Sequence, residues 1–250
     1  MDTARAGVLA GLTIPYRVRF DESTPEGRVR TSTLLRYAQD AAWVHSEALG
    51  YDRHWYTARG LWWVVRSVEL RLEVSIPLGT TLHVRTRVGG FRKVWARRRT
   101  DLSLDDGSPA GWLHTDWVIT DARGAPQRIP ESFPAAFAAP PGSFEPVRVP
   151  ATPPVPEAIE THFAVLPHEL DPMDHVNNAV YLDHLEDAVA AAGGADDLRS
   201  LPRTVRLEYL VPAAPGDLLV SRVWREGPGW AYHLATTGGV DVLRGRTGAG

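Results

Sequence analysis

The sequence predicts an α+β protein made of two tandem copies of one plan, a long helix wrapped by an antiparallel sheet. Three observations lead there. First, VRSVELRLEVSIPLGTTL (residues 65–82) overlays PRTVRLEYLVPAAPGDLL (residues 202–219) without a gap, so that Arg66 falls on Arg203, Leu70 on Leu207, Val74 on Val211 and Gly79 on Gly216. Second, the amphipathic stretch LLRYAQDAA (residues 34–42) overlays YLDHLEDAV (residues 181–189). Third, proline and alanine dominate the stretch between the copies, the composition of an extended, semi-rigid linker. The division expected is residues 1–133, a linker over 134–157, and residues 158–250.

Each element has a local reason. Residues 14–21 alternate as a strand does, and Pro25, Glu26 and Gly27 mark the turn that ends it. Ser32 or Thr33 is expected to cap a helix whose inward face carries Leu34, Leu35, Ala38, Ala41, Ala42 and His45, with Gly50 as its stop. Residues 62–75 place Val64, Val68, Leu70, Leu72 and Val74 mostly on one face, a half-buried strand. Strands over 82–88, 94–104 and 112–120 complete a meander with glycine-bearing turns between them. The second half repeats this with a strand at 162–166, a helix over 178–192 and strands at 203–211 and 218–224. A helix followed by antiparallel strands buries its apolar face only if the sheet wraps it, and two such copies can pair edge to edge as a homodimer would. Whether two chains also associate stays open.

Composition excludes several chemistries. The chain of 250 residues has no cysteine, so disulfides, thiolate metal sites and a cysteine nucleophile are out. A formal charge of −3 argues against wholesale nucleic-acid binding. No apolar run approaches a bilayer span, and the opening MDTARAGVLAGLT lacks the pattern of a secretory leader, which points to the cytoplasm. His168, Glu169, Asp171, Asp174 and His175 have neither zincin nor calcium-loop spacing, so no metal is expected. No Gly-x-Ser-x-Gly elbow or phosphate-binding glycine loop occurs, and no cofactor is expected.

The chemistry-bearing stretch is LDPMDHVNNAVYLDHLED (residues 170–187), in which Pro172 bars an early helix start and Asn177 and Asn178 are natural N-caps. It sets Asp171 and His175 just ahead of a helix N-terminus, whose unpaired N–H groups favour a developing oxyanion. On this stretch, on VRLEY (residues 205–209) and on the degenerate first copy VRFDESTPEGRVRTSTLLRYAQDAA (residues 18–42), the chain resembles the acyl-ACP thioesterase family. It is more loosely similar to single-hotdog 4-hydroxybenzoyl-CoA-type thioesterases. The resemblance covers residues 14–245 and implies a double hotdog fold, hydrolysis of a fatty acyl thioester, a reaction centre in the second copy and an acyl tunnel largely in the first. The plant members carry Asp-x-Asn-x-His and a Glu-Cys pair after LEY. Here the first motif reads Asp171, Met173, His175, and Pro212 and Ala213 stand at the pair, so only Asp171 and His175 carry over.

The substrate expected is acyl-ACP or an acyl-CoA. Asp171 would activate water or attack the carbonyl, with His175 orienting it, Asn177 holding water or substrate, and the N–H groups of Val176 to Asn178 receiving the oxyanion. Glu186, Gln39, His45 and Arg66 form a second tier, with Ser46 beside them, and Glu186 reads better as an exposed surface acid. The run Arg92, Lys93, Arg97, Arg98, Arg99 could meet a phosphopantetheine phosphate or an acidic carrier protein, the best-placed being Arg92, Lys93, Arg97 and Arg99, although a solvated strand face is the simpler account. The rival function is a non-catalytic acyl-thioester or carrier-binding module of the same fold.

Overall fold

The computed structural model describes residues 10–140 and 144–250. Residues 1–9 of the opening stretch and residues 141–143 of the expected linker lie outside them. The chain divides into two compact units, Met1–Arg66 with Val74–Pro146 and Ser67–Glu73 with Val147–Gly250. The expected linker is shared out accordingly.

The first unit contains β1 (Leu12–Arg17), α1 (Thr31–Ala48), the short α2 (Arg53–Thr57), the start of β2 (Leu61–Leu72), β3 (Thr81–Arg92), β4 (Trp95–Ser103), β5 (Pro109–Asp121) and a single turn, α3 (Phe133–Ala136). Its strand order is β1-β3-β4-β5-β2, and β3 pairs antiparallel with β1 and β4. Helix α1 packs on β3 and β1 and buries Leu34, Leu35, Ala38, Ala41, Ala42 and His45, the face its spacing predicts. The expected cap fails. Arg30 precedes the helix without a side-chain cap, Ser32 and Thr33 are buried inside it, and the Thr33 hydroxyl reaches back 3.3 Å to the Glu22 carbonyl. That hydroxyl donates to a carbonyl outside the helix, a tertiary contact, and caps no helix N–H. Phe133 and Phe137 are buried in an aromatic cluster with Tyr51, Trp55, Tyr56, Trp63 and Phe91, so the start of the expected linker packs into this core.

The second unit takes Ser67–Glu73 of β2 together with β6 (Ile159–Ala164), α4 (Val180–Val189), α5 (Ala195–Arg199), β7 (Arg203–Tyr209), β8 (Leu218–Glu226), β9 (Gly229–Thr236) and β10 (Asp241–Ala249). The order is β2-β7-β10-β9-β8-β6. Helix α4 buries Tyr181, Leu182, Leu185 and Val189. It is shorter than expected because a widened turn at Ala190–Gly194, with Gly193 at φ +85°, breaks it before α5.

The duplication extends to individual hydrogen bonds at a constant spacing of 147 residues. In the first unit Arg19 N–H donates to Glu22 Oε2 (2.9 Å), Thr24 N–H to Arg28 O (2.7 Å) and Arg30 N–H to Glu22 O (2.9 Å). In the second, Leu166 N–H donates to Glu169 Oε2 (2.6 Å), Asp171 N–H to His175 O (2.8 Å) and Asn177 N–H to Glu169 O (2.8 Å). Tyr37 donates to Glu22 and stacks on Tyr16 at 4.4 Å. His184 meets Glu169 at 2.9 Å and stacks on Phe163 at 4.4 Å. One backbone frame is therefore used twice with different side chains.

Candidate active site

The second-unit frame holds the sequence-predicted residues in a tight turn. Leu170 bridges Val176, Asp171 N–H donates to His175 O, and Asp174 closes the turn at φ +61°, where the first copy has Gly27. An aspartate tolerates this left-handed backbone better than most side chains. Asp171 and His175 thus occupy opposed positions, whose side chains in an antiparallel pair lie on one face with Cβ atoms about 4.5–5.5 Å apart. The carboxylate and imidazole do not form an ion pair with each other. Asp171 Oδ1 accepts from Met173 N–H at 2.8 Å, and Oδ2 has no partner among the described residues. Both Asp171 and His175 are half-buried, while Met173 is exposed at the tip.

The helix start is more heavily engaged than expected. Val176 N–H donates to Ala213 O (3.3 Å) and Asn177 N–H to Glu169 O, so neither is available to an oxyanion. Asn177 Oδ1 accepts from Ala179 N–H at 2.9 Å, an Asx turn just ahead of α4 that occupies its side-chain oxygen, while α4 itself follows Ala179 without a side-chain cap, so neither Asn177 nor Asn178 caps it as expected. That leaves the Asn178 N–H without a partner among the described residues. The Asn178 carbonyl is braced instead: Leu182 N–H bonds to Ala179 O, and the Tyr209 hydroxyl donates to Asn178 O at 2.9 Å.

Two tyrosines complete the wall. Tyr181 accepts from Ala213 N–H at 3.1 Å and meets Tyr209 edge to face with centroids 5.7 Å apart. Burial, then the carboxylates of Asp171, Asp217 and Glu169, push the Tyr181 phenol up to about 12, against the hydrogen bond from Ala213. Burial also pushes Tyr209 well up. Both stay protonated donors at any ordinary pH. The first copy has Leu34 and Leu72 at the corresponding places, together with Thr24 for Asp171 and Arg28 for His175. Tyr181, Tyr209 and the pair of buried Glu169 with half-buried His184 are the parts that sequence reasoning missed. The contrast between the two copies was the signal available for finding them.

The remaining candidates fall elsewhere. Glu186 is not a surface acid: it is half-buried and lies 2.8 Å from Nη1 of the buried Arg203. Gln39, His45, Ser46 and Arg66 belong to the first unit, where Gln39 and Arg66 are half-buried and His45 is fully buried. The basic run is largely neutralised within its own unit. Arg97 forms a bidentate pair with Asp116 (2.7 and 2.8 Å), Arg92 pairs with Glu145 (3.0 Å) and Arg99 with Asp101 (2.6 Å). Lys93 stays exposed, and Arg98 points inward. Among the described residues no three His, Asp or Glu side chains group to hold a metal, and no helix is long and apolar enough to cross a membrane.

A family model for the N-terminal domain of acyl-ACP thioesterases matches residues 12–137, just over half of the chain. The chain belongs to the acyl-ACP thioesterase family. As a member of that family it is a hydrolase of fatty acyl thioesters, with acyl-ACP as the substrate membership implies. The fold agrees. A Lactobacillus plantarum protein provisionally designated an oleoyl thioesterase superposes with a TM-score of 0.84 at 18% identity, covering 95% of each chain. An acyl-ACP thioesterase from Bacteroides thetaiotaomicron gives 0.82 at 16% identity over 99% of each, and the 12:0-ACP thioesterase from Umbellularia californica 0.78 at 19% over 95% of this chain and 96% of its own. The architecture of this acyl-ACP thioesterase is accordingly the double hotdog. No match was found among the curated proteins. The matched stretch covers the first copy, whereas the Asp171–His175 turn lies in the second.

Proposed function

We propose that the protein cleaves fatty acyl-ACP in the second unit, with Asp171 directing water, or itself, onto the thioester carbonyl. Asp171 is suited to this because one carboxylate oxygen is fixed by Met173 N–H and the other is free to accept a proton or form a bond. His175, opposed to it across the turn, orients the attacking water. The Asn178 N–H at the helix start takes the oxyanion, where the positive end of the helix dipole adds to the hydrogen bond. The leaving thiol ionises near about 8.5, so it departs without a strong general acid. The observation that carries the reading is the repeat itself: the same hydrogen-bonded frame holds Thr24 and Arg28 in one copy and Asp171 and His175 in the other.

Asp171→Asn keeps the Oδ1 contact to Met173 and removes the base. Thiol release from acyl-ACP is expected to fall by about two to four powers of ten, the usual scale for losing a general base. Undiminished turnover by the folded variant would exclude Asp171 from the chemistry. Acyl-CoA assayed beside acyl-ACP gives the carrier preference, and a steep loss of acyl-ACP turnover with salt would mark electrostatic docking.

A further inference from the structure

Arg98 on β4 is the buried cation that the hydrolytic reading leaves without a task. The residue is 8% exposed, and all its side-chain partners are neutral: His45 Nδ1 at 3.0 Å, Ser46 Oγ at 3.0 Å, Thr86 Oγ1 at 3.5 Å and the Phe137 ring at 5.6 Å. No carboxylate among the described residues pairs with it. Its strand neighbours show how this chain ordinarily treats a guanidinium, since Arg97 and Arg99 each hold an aspartate. A charge taken out of water is costly unless an opposite charge compensates it, and burial draws Arg98 down to about 10 against an opposing pull from the nearby Tyr56 oxygen. Beside it the Tyr56 hydroxyl, also buried, lies near Ser46 and Trp63 without meeting either in hydrogen-bond geometry. A buried cation without a carboxylate and a buried hydroxyl without a hydrogen-bond partner therefore lie together against the aromatic cluster around Phe133 and Phe137.

We propose that Arg98 and Tyr56 form an anion site in the first unit for a carboxylate at the end of an apolar chain. A carboxylate fits the guanidinium fork in two-point fashion and accepts a hydrogen bond from the Tyr56 hydroxyl, while the chain behind it lies against the aromatic rings. A phosphate's doubled charge and wide hydration shell match one guanidinium in an apolar wall less well. The carboxylate has two sources, a free fatty acid or the far end of an acyl chain whose other end is the thioester. Only the second rests on the proposed hydrolysis.

Binding is read first, with decanoate and decanol titrated into the full-length protein and followed by tryptophan fluorescence, since Trp55 and Trp63 pack against the cluster. Decanoate is expected to bind saturably. Arg98→Met should weaken it at least tenfold and leave decanol unchanged, and Arg98→Lys, which keeps the charge, should fall between the two and serves if the Met variant does not fold. Equal affinity of the wild-type protein for acid and alcohol, absence of decanoate binding, or unchanged decanoate binding in both variants overturns the site. The second measurement compares kcat/KM for decanoyl thioester and for the half-thioester of decanedioic acid. A preference for the half-thioester that Arg98→Lys retains and Arg98→Met abolishes assigns the carboxylate to the substrate's far end. No preference alongside decanoate binding assigns it to free fatty acid. If no thioester is hydrolysed, the proposed function fails while the binding result still decides the site.

Discussion

Removing one hydroxyl tests the link between the second-unit frame and the chemistry. Tyr209→Phe deletes the donor to Asn178 O, a 2.9 Å bond from a side chain that is almost fully buried. The helix cannot repair the loss, because Leu182 N–H already bonds to Ala179 O, so the Asn178 carbonyl is left unpaired next to a phenyl ring. A net hydrogen bond of this kind is worth about 1 kcal/mol, rising toward about 2 kcal/mol when a buried partner is orphaned. For a chain of this size that lowers Tm by roughly 2–8 °C. The kinetic effect follows from Asn178 having its N–H and its carbonyl on either side of one residue: releasing the carbonyl lets the N–H swing off the oxyanion. Loss of such a donor outright lowers kcat by about 10²–10³, so a loosened one should reduce it roughly tenfold with KM little changed. Calorimetry and steady-state thiol release on one preparation give both numbers. A lower Tm with wild-type kcat would show that the brace is structural and that Asn178 is not the oxyanion donor.

The duplication supplies its own control for the Glu169–His184 pair. Glu169→Gln and Glu22→Gln each remove a charge from the same frame, and each should cost about 1–2 kcal/mol by urea denaturation; only Glu169→Gln should lower kcat, and equal kinetic loss in both would refute the assignment of chemistry to the second unit. Gly245→Ala would place a Cβ 2.5 Å from Leu185 Cδ1 and 3.2 Å from Leu207 Cδ2, both fully buried, so it should destabilise by about 1–3 kcal/mol, and an unchanged urea midpoint would reveal slack beneath α4. Burial raises the phenols of Tyr181, Tyr209 and Tyr232 above their unfolded value near 10, so their contribution to stability is complete below pH 10 and drains away as pH rises through about 12 for Tyr181. Tyrosinate absorbance that appears for all three near pH 10, before the fold is lost, would contradict this.

The fold was legible because its repeat is written in residues that do packing work. Leu70 and Leu207 fall on the same inward face in both copies, and both are buried. What escaped notice was short or dependent on distant partners. Helices α2 and α3, of five and four residues, show too little of any period to be read. The expected Ser32 or Thr33 cap failed because α1 begins earlier, at Thr31, and buries both residues, with the Thr33 hydroxyl donating to the Glu22 carbonyl eleven residues earlier in the chain. Arg98 and its neighbours Arg97 and Arg99 look identical as sequence. Only strand alternation, which turns every second side chain inward, separates a buried cation from two half-buried ones paired with aspartates.

The site was legible in its acid and imidazole and illegible in its supports, for a reason that bears on how the copies diverged. A turn closed by backbone hydrogen bonds tolerates almost any side chain at its tip, so Thr24 and Asp171 can occupy one position without disturbing the frame. Supports are different, since a buried hydroxyl costs stability unless something accepts from it or donates to it. Tyr181 and Tyr209 replace Leu34 and Leu72 together, and each hydroxyl finds a backbone partner, Ala213 N–H and Asn178 O, at the two ends of the turn's surroundings. Leucine is the cheaper occupant of an apolar core position, so a matched pair of tyrosines in one copy alone implies a demand for rigidity there that the other copy lacks. That demand coincides with the copy that carries Asp171 and His175. A doubly substituted protein, Tyr181→Leu with Tyr209→Leu, should therefore fold with a second unit as well packed as the first and hydrolyse thioesters poorly. If it turned over at the wild-type rate, the coincidence would have no functional meaning.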